Sequence, residues 1–162
     1  MKVLFLAPQP FFQERGTPIA VRLALQVLAK RGGDSIDLLT YHEGRDVQIP
    51  NVAIHRIPAP RWIRDIPPGF SFKKLFCDCI MLLSALQLVW KNRAGQYELV
   101  HAVEESVFIA WIIKLLFRIP YIYDMDSSIA LQLTEKFPFC RLLLPFLRFF
   151  EKITFTSFSL II

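Results

Sequence analysis

The sequence predicts an α/β domain in which helices flank a Rossmann-like parallel sheet. Short apolar runs of strand length alternate along the chain with long, largely apolar helical stretches. With 162 residues, 54% of them hydrophobic and 20% charged, the chain can bury one substantial core and is not a disordered segment. Two acidic stretches, His101–Ser106 and Tyr123–Ser128, begin where predicted strands end. Ligands of open α/β sheets bind just beyond those carboxyl ends, so a polar substrate cleft is expected there.

The predicted elements follow from apolar runs that are bounded by turn residues. The strands are Lys2–Ala7, Ile36–Tyr41, Val52–Ile57, Glu98–Ala102 and Pro120–Tyr123. Between them lie helices over residues 17–31, 72–93 and 105–117, with one or two more after Ser127. Thr17 and Pro18 mark the start of the first helix, because Thr can cap free N–H groups and Pro fits the first helical turn. Strands that alternate with helices imply parallel strands joined by right-handed crossovers.

Composition narrows the class of protein and of partner. A net charge of +5 either indicates an anionic partner or reflects an ordinary solvated surface. The sequence shows no pattern of a nucleic-acid-binding module, so no nucleic acid partner is expected. Cys77, Cys79 and Cys140 are an odd number without a metal-binding spacing, which fits a reducing cytoplasm and predicts structural thiols. Cys77 and Cys79 should point to different sides of their helix. No apolar run reaches the ~20 residues that a membrane span needs.

The loop after the first strand is the expected place for phosphate binding, but it carries neither G-x-G-x-x-G nor a P-loop. Gly16 would allow a ligand close to the backbone, and the helix that starts at Thr17 would offer free N–H groups to an anion. The alternative is a plain turn followed by a helix cap. The sequence leaves both interpretations open.

Asp124 and Asp126 are separated by one residue, so in an extended strand both carboxylates face one side. They could meet one polar ligand or one metal ion, as in metal-dependent transferases of the GT-A type. The alternative is that one of them caps the next helix, a role for which Ser127 and Ser128 compete.

His101, Glu104 and Glu105 close the fourth predicted strand and open the next helix. Acidic residues favour a first helical turn because of the helix dipole, and a histidine there is often a half-buried structural residue. The functional alternative is contact with a polar substrate, with Glu104 the better placed of the two glutamates to accept hydrogen bonds from sugar hydroxyls.

Several short motifs occur in an order that resembles the N-terminal domain of a family-4 (group 1) glycosyltransferase with the GT-B fold. The resemblance covers about residues 1 to 150. The motifs are Lys2–Pro8, Arg15–Pro18, Ala29–Gly32, Asp37–Thr40, Tyr97–Ala102 and Ile119–Asp124. In that family two Rossmann-like domains face a cleft, and the C-terminal domain holds the nucleotide-sugar.

The resemblance implies hexosyl transfer that retains anomeric configuration and needs no metal and no other cofactor. The substrate contacts would then be Gly16, Thr17, His101, Glu104, Glu105, Asp124 and Ser127. Where the family often has a His after the fifth strand this chain has Asp126, the candidate catalytic residue. Where the family often has two glycines in the first loop, this chain has Gly16 followed by Thr17.

The resemblance predicts a cytoplasmic acceptor-side domain over residues 1–150, with the donor-binding domain absent. The atypical segment at 151–162 is expected to be a truncated or altered C-terminus, or alternatively a final edge strand. The nucleotide-sugar would be bound through that missing domain, and the acceptor would be a sugar, a glycan or a lipid-linked molecule. Arg141, Arg148 and Lys152 fall on one helical face and could touch the inner face of a membrane, or that helix is simply solvated on one side. The alternative functions are a non-catalytic binding module and a metal-dependent GT-A-like transferase that uses Asp124 and Asp126.

Overall fold

The computed structural model describes residues 1–12, 16–60, 62–67, 71–92 and 97–124. Within these ranges the chain forms five strands and three α-helices. The strands are β1 (Lys2–Ala7), β2 (Ser35–Thr40), β3 (Val52–Arg56), β4 (Leu99–Val103) and β5 (Tyr121–Asp124). The helices are α1 (Gly16–Ala29), α2 (Phe72–Lys91) and α3 (Val107–Phe117).

All five strands are parallel and lie in the order β3-β2-β1-β4-β5. The predicted Rossmann-like parallel sheet is therefore confirmed, and each predicted strand differs from the observed one by no more than a residue at each end. β1 is central because it is almost wholly apolar, and Val3 to Ala7 are all buried. A strand that is buried on both faces needs such a continuous apolar run.

Each face of the sheet carries its own apolar core. Phe5, Leu38 and Ile36 pack beneath α1 through Val21 and Leu25. On the opposite face, alternate residues of the same strands pack against α2 and α3, with Cys77, Met81, Ala85 and Val89 of α2 in contact with the sheet. This four-residue repeat is the buried stripe of an amphipathic helix. Cys77 is buried and Cys79 is exposed, so the prediction that they point to different sides is confirmed.

The helix predicted from Glu105 starts differently. Glu104–Ser106 form a single 3₁₀ turn, and the α-helix begins only at Val107. Ser106 stabilises this turn because its buried Oγ accepts a hydrogen bond from the Val103 N–H at 2.9 Å and lies 3.1 Å from the Leu6 carbonyl oxygen. The end of β4 is thereby tied to the end of β1.

Gly44 lets the loop after β2 pass close to the loop after β1. Its φ is +120°, and a Cβ placed there would lie 1.8 Å from the carbonyl oxygen of Phe11. Hydrogen bonds run both ways between the backbones of Phe12 and Arg45 at 3.3 Å. The two loops are thus held together at the carboxyl edge of the sheet.

A polar network lies at the opposite, amino edge of the sheet. Asp37 accepts hydrogen bonds from the Tyr97 hydroxyl at 2.6 Å and faces His55 Nε2 at 3.1 Å, while Lys2 Nζ lies 3.8 Å away. Burial raises the pKa of Asp37, but the hydrogen bonds from Tyr97 and His55 and the charge of Lys2 outweigh it and leave the pKa below its ordinary value. This network holds β1, β2 and the start of β4 together, far from the predicted cleft.

In the described part of the chain, no helix combines the length and the apolar character that crossing a bilayer requires.

Candidate functional site

The candidate site lies at the carboxyl edge of the sheet, between β1 and β4. The chain leaves β1 toward α1 on one face and leaves β4 toward α3 on the other face. Adjacent strands whose connections leave in opposite directions open a crevice between them, and this crevice is the usual ligand site of such sheets. Four of the predicted site residues, Gly16, Thr17, Glu104 and Glu105, come together here.

Glu104 directly follows the last residue of β4, and its backbone is left-handed with φ at +50°. A non-glycine residue seldom adopts this conformation, and a residue held in it is often found at a functional site. Its carboxylate accepts a hydrogen bond from Thr17 Oγ1 at 3.3 Å and one from Lys74 Nζ at 3.2 Å. Glu104 therefore connects the first turn of α1 with the first turn of α2 across the crevice.

Lys74 lies between the two glutamates. Its Nζ is 2.5 Å from Glu105 Oε1 and 3.2 Å from Glu104 Oε2, and only 11% of its side chain is exposed. Burial lowers the pKa of Lys74, but the two carboxylates outweigh burial and raise it above its ordinary value. The lysine is therefore a fixed positive charge.

Glu105 has a pKa well above that of an ordinary glutamate. Burial raises its pKa to about 7, against the opposing pull of Lys74 and with a further rise from the neighbouring charges of Asp78 and Glu104. A carboxyl group whose pKa lies near neutrality can give or take a proton at physiological pH. The pair thus offers one carboxylate held by two donors and one carboxyl group close to its titration point.

Asp78 and Tyr41 extend this charged cluster beneath the crevice. The Tyr41 hydroxyl donates a hydrogen bond of 2.5 Å to Asp78 Oδ1. Burial raises the pKa of Asp78 to about 6, although the hydrogen bond from Tyr41 and the charge of Lys74 act in the other direction. Burial also raises the pKa of Tyr41, which therefore stays protonated and serves as a donor.

Lys74, Asp78 and Tyr41 were not predicted from the sequence as site residues. A signal was present, because Lys74 and Asp78 are charged residues four positions apart in a helix that then carries no charge from Cys79 to Trp90. Charges at that spacing share one face of a helix, but the sequence does not show that this face is directed at the sheet edge. The sequence analysis explained the two glutamates at a helix start by their favourable interaction with the helix dipole. In the structure both carboxylates instead form ion pairs with Lys74 of a different helix.

His101 and Asp124 lie together, but on the α1 side of the sheet. The His101 ring stacks on Phe5 with centroids 4.3 Å apart, and its Nε2 is 4.0 Å from Asp124 Oδ2. Burial lowers the pKa of His101 and Asp124 opposes that shift, so the ring is neutral at pH 7. About half of the Asp124 side chain is exposed. The predicted site residues therefore form two groups rather than one.

Asp126 and Ser127, the predicted catalytic residue and one predicted contact, lie outside the described residues, as do Cys140 and the helical face of Arg141, Arg148 and Lys152. Across the ranges that are described, no group of three or more His, Cys, Asp or Glu side chains could hold a metal ion. The site residues present offer hydrogen-bond acceptors and charge, and these suit the hydroxyl groups of a polar ligand.

Comparison with solved structures identifies glycosyltransferases as proteins of similar fold. Sucrose-phosphate synthase from Thermosynechococcus elongatus matches with a TM-score of 0.59 and 19% identity, over 82% of this chain and 35% of that chain. The apo structure of UGT2 from Phytolacca americana matches with a TM-score of 0.57 and 14% identity, over 81% of this chain and 31% of that one. No family model and no curated protein matches the sequence.

These likenesses establish the fold. The parallel sheet flanked by helices is the Rossmann-like arrangement found in GT-B glycosyltransferases, as the sequence predicted. The chain spans about a third of the length of the first two of these structures.

Proposed function

We propose that this chain is the acceptor-binding half of a family-4-like, GT-B glycosyltransferase that transfers a hexosyl group from a nucleotide-sugar with retention of configuration. The observation that carries the proposal is the crevice between β1 and β4, where Thr17 and Lys74 hold the left-handed Glu104. In the proposed two-domain enzyme, a second domain would close over this polar edge of the sheet.

In this proposal the two glutamates bind acceptor hydroxyls. Glu104 is already oriented by two donors, so a sugar hydroxyl binds to a carboxylate that needs little further ordering. Glu105, with its pKa raised by burial to about 7, is suited to take a proton from such a hydroxyl. Gly16 lines the mouth with open space beside its Cα.

The remaining predicted contacts complete the proposed acceptor surface. His101 and Asp124 form its second group, on the α1 side of the sheet. Asp126 stays the proposed catalytic residue and Ser127 a proposed contact. The nucleotide-sugar would be bound by a separate donor domain, because most contacts to a donor lie outside this half.

Saturation-transfer NMR on the 162-residue chain tests the proposal. We expect signals from sugars offered as acceptors, none from nucleotide-sugars, and no transfer when both are mixed. Glu104→Gln should weaken sugar binding about 10-fold, since a charge-assisted hydrogen bond is worth about 1.5–3 kcal/mol. Glu98→Gln, on an exposed side chain at the amino edge of the sheet, is the matched control and should leave binding unchanged. Robust transfer by this chain alone, or the absence of any sugar binding, would refute the half-enzyme proposal.

A non-catalytic binding or structural module is the second candidate, and one observation favours it. Lys74 already pairs with both glutamates, which is what a purely structural cluster would show. In that case Glu104→Gln would lower the melting temperature without changing affinity for any sugar. The metal-dependent GT-A-like alternative makes a different prediction, namely heat on mixing the chain with manganese and a nucleoside diphosphate.

A further inference from the structure

Large apolar side chains dominate the outer face of α2, on which Gln87 is an exposed polar residue between Leu83 and Trp90. Large side chains lie on this face at helical spacings of three, four and seven residues, and Trp62 from the preceding loop joins them with its ring centroid 6.0 Å from that of Phe76. We call this surface the aromatic face; its members are Trp62, Phe72, Leu75, Phe76, Leu83 and Trp90. Trp62 is 73% exposed, Phe72 80% and Leu83 67%.

This pattern differs from that of an ordinary surface helix, which carries charged and polar residues opposite its buried stripe. The buried stripe of α2 contains Cys77, Met81, Ala85 and Val89, and the aromatic face lies on the other side. A concentration of large exposed apolar side chains on one helix face is typical of a binding surface.

The charges on α2 point to an anionic occupant. The helix has four charged residues, and Lys74 and Asp78 are directed inward to Glu104, Glu105 and Tyr41. The other two, Lys73 and Lys91, are exposed near the two ends of the aromatic face. The adjoining loop adds exposed Arg64 and one exposed carboxylate, Asp65. Cations therefore outnumber anions three to one around an apolar centre.

We propose that the aromatic face of α2 binds an anionic lipid bilayer surface. Tryptophan and phenylalanine insert at the headgroup level, and flanking lysines and arginine attract anionic lipids. A second copy of this chain fits less well, because a symmetric contact would bring Lys73, Lys91 and Arg64 of both copies together, and among the described residues of α2 and the adjoining loop Asp65 is the one exposed carboxylate that offsets them.

The position of the aromatic face connects it with the candidate site. α2 starts at the carboxyl edge of the sheet, and Lys74, one residue beyond Lys73, reaches Glu104 and Glu105. A bilayer on this face would present lipid-linked molecules beside the crevice. This last consequence rests on the proposed function, whereas the bilayer contact itself does not.

Sedimentation with vesicles tests the contact independently of any sugar chemistry. The chain should bind vesicles of phosphatidylcholine with 30% phosphatidylglycerol at least 10-fold more tightly than pure phosphatidylcholine, because each cation near an anionic surface contributes about five-fold. Leu83→Ser should weaken binding about 10-fold. Leu23→Ser is the matched control, since Leu23 is a 57% exposed leucine on α1, and it should leave binding unchanged. Lys73→Gln should reduce the preference for anionic vesicles, and Lys30→Gln, at an exposed lysine after α1, should not.

Cys79 gives a direct readout because it is exposed within the same outer face, whereas Cys77 is buried. An environment-sensitive fluorophore attached to Cys79 in a Cys140→Ser background should increase in emission on addition of anionic vesicles. The proposal is overturned if the vesicles leave this emission unchanged, or if Leu83→Ser and Leu23→Ser lose binding equally. It is also overturned if light scattering shows a dimer that Leu83→Ser dissociates, which would assign the face to a second copy.

Discussion

At the scale of single residues, the arrangement of the site depends on a few side chains and one glycine. Glu104 keeps a left-handed backbone because Thr17 and Lys74 hold its carboxylate, and Gly44 is required where the two loops touch. The sequence predicted Glu104, Glu105 and Thr17 as site residues and Gly16 as the glycine that allows close approach to the backbone, but it did not point to Gly44. Spacing along the chain shows where a strand ends, but it does not show which partner comes from a helix thirty residues away.

Lys74→Met should strongly destabilise the protein, because it leaves two partly buried carboxylates without their counter-charge. We expect a loss of about 2–4 kcal/mol, somewhat below the value for a fully buried pair. Lys73→Met is the neighbouring control on an exposed side chain and should change stability by less than about 0.5 kcal/mol. Urea unfolding measures both, and equal effects of the two variants would contradict the assigned role of Lys74.

The two glycines at this edge should respond in opposite ways to alanine. Gly44→Ala combines a disfavoured φ with a backbone clash and should cost about 2–4 kcal/mol. A Cβ at Gly16 meets nothing within 4 Å, so Gly16→Ala should be neutral or stabilise the start of α1 by up to about 1 kcal/mol. Thermal unfolding would show a fall of several degrees for Gly44→Ala only. If Gly16→Ala keeps its stability and loses sugar binding, the open space at Gly16 belongs to the ligand.

At the scale of elements, the hydrophobic pattern of the sequence predicts every described strand to within one residue at each end, but it does not predict where α3 begins. The strands were predictable because a parallel strand buried on both faces is a continuous apolar run with turn residues at each end, as in Lys2–Ala7. The start of α3 was not predictable, because a 3₁₀ turn precedes the helix. Ser106 stabilises that turn by accepting a hydrogen bond from the backbone N–H of Val103 in β4. That turn also depends on the contact of Ser106 with the carbonyl oxygen of Leu6 in the neighbouring strand β1, and local helix propensity carries no information about such a contact.

The end of α3 gives a prediction at this scale. No glycine follows the helix, and Arg118 takes the left-handed C-terminal position with φ at +61°. Glycine is favoured there because a side chain makes this conformation costly. Arg118→Gly should therefore raise the melting temperature by about 1–4 °C, equivalent to about 0.5–1 kcal/mol. Arg118→Ala keeps the strained conformation and should give no gain, so an equal rise in both variants would point to the lost charge as the cause.

At the scale of the whole molecule, two polar clusters at opposite edges of the sheet have opposite effects on stability as pH changes. At the amino edge Asp37 has a lowered pKa, so it contributes stability that is present at neutral pH and lost as the pH falls through its folded pKa. At the carboxyl edge Asp78 and Glu105 have raised pKa values, so the folded state binds protons that the unfolded state has released. The ionisation of Asp78 and Glu105 therefore opposes folding at neutral pH, and such a cost is common at binding and catalytic sites.

Asp78→Asn tests this relation, because asparagine keeps an oxygen acceptor for Tyr41 and removes the charge. The pKa of Asp78 is about 6 in the folded chain and 3.8 for an ordinary aspartate, so wild-type stability from this group falls as pH rises from about 4 to 6. The variant lacks that fall. Its melting temperature relative to wild type should therefore be higher at pH 8 than at pH 4, by several degrees, equivalent to about 2–3 kcal/mol. Asp46→Asn removes one charge from a fully exposed side chain and is the control. If its melting temperature shows a pH-dependent difference of the same size, the change in net charge, rather than the burial of Asp78 beneath the crevice, causes the effect.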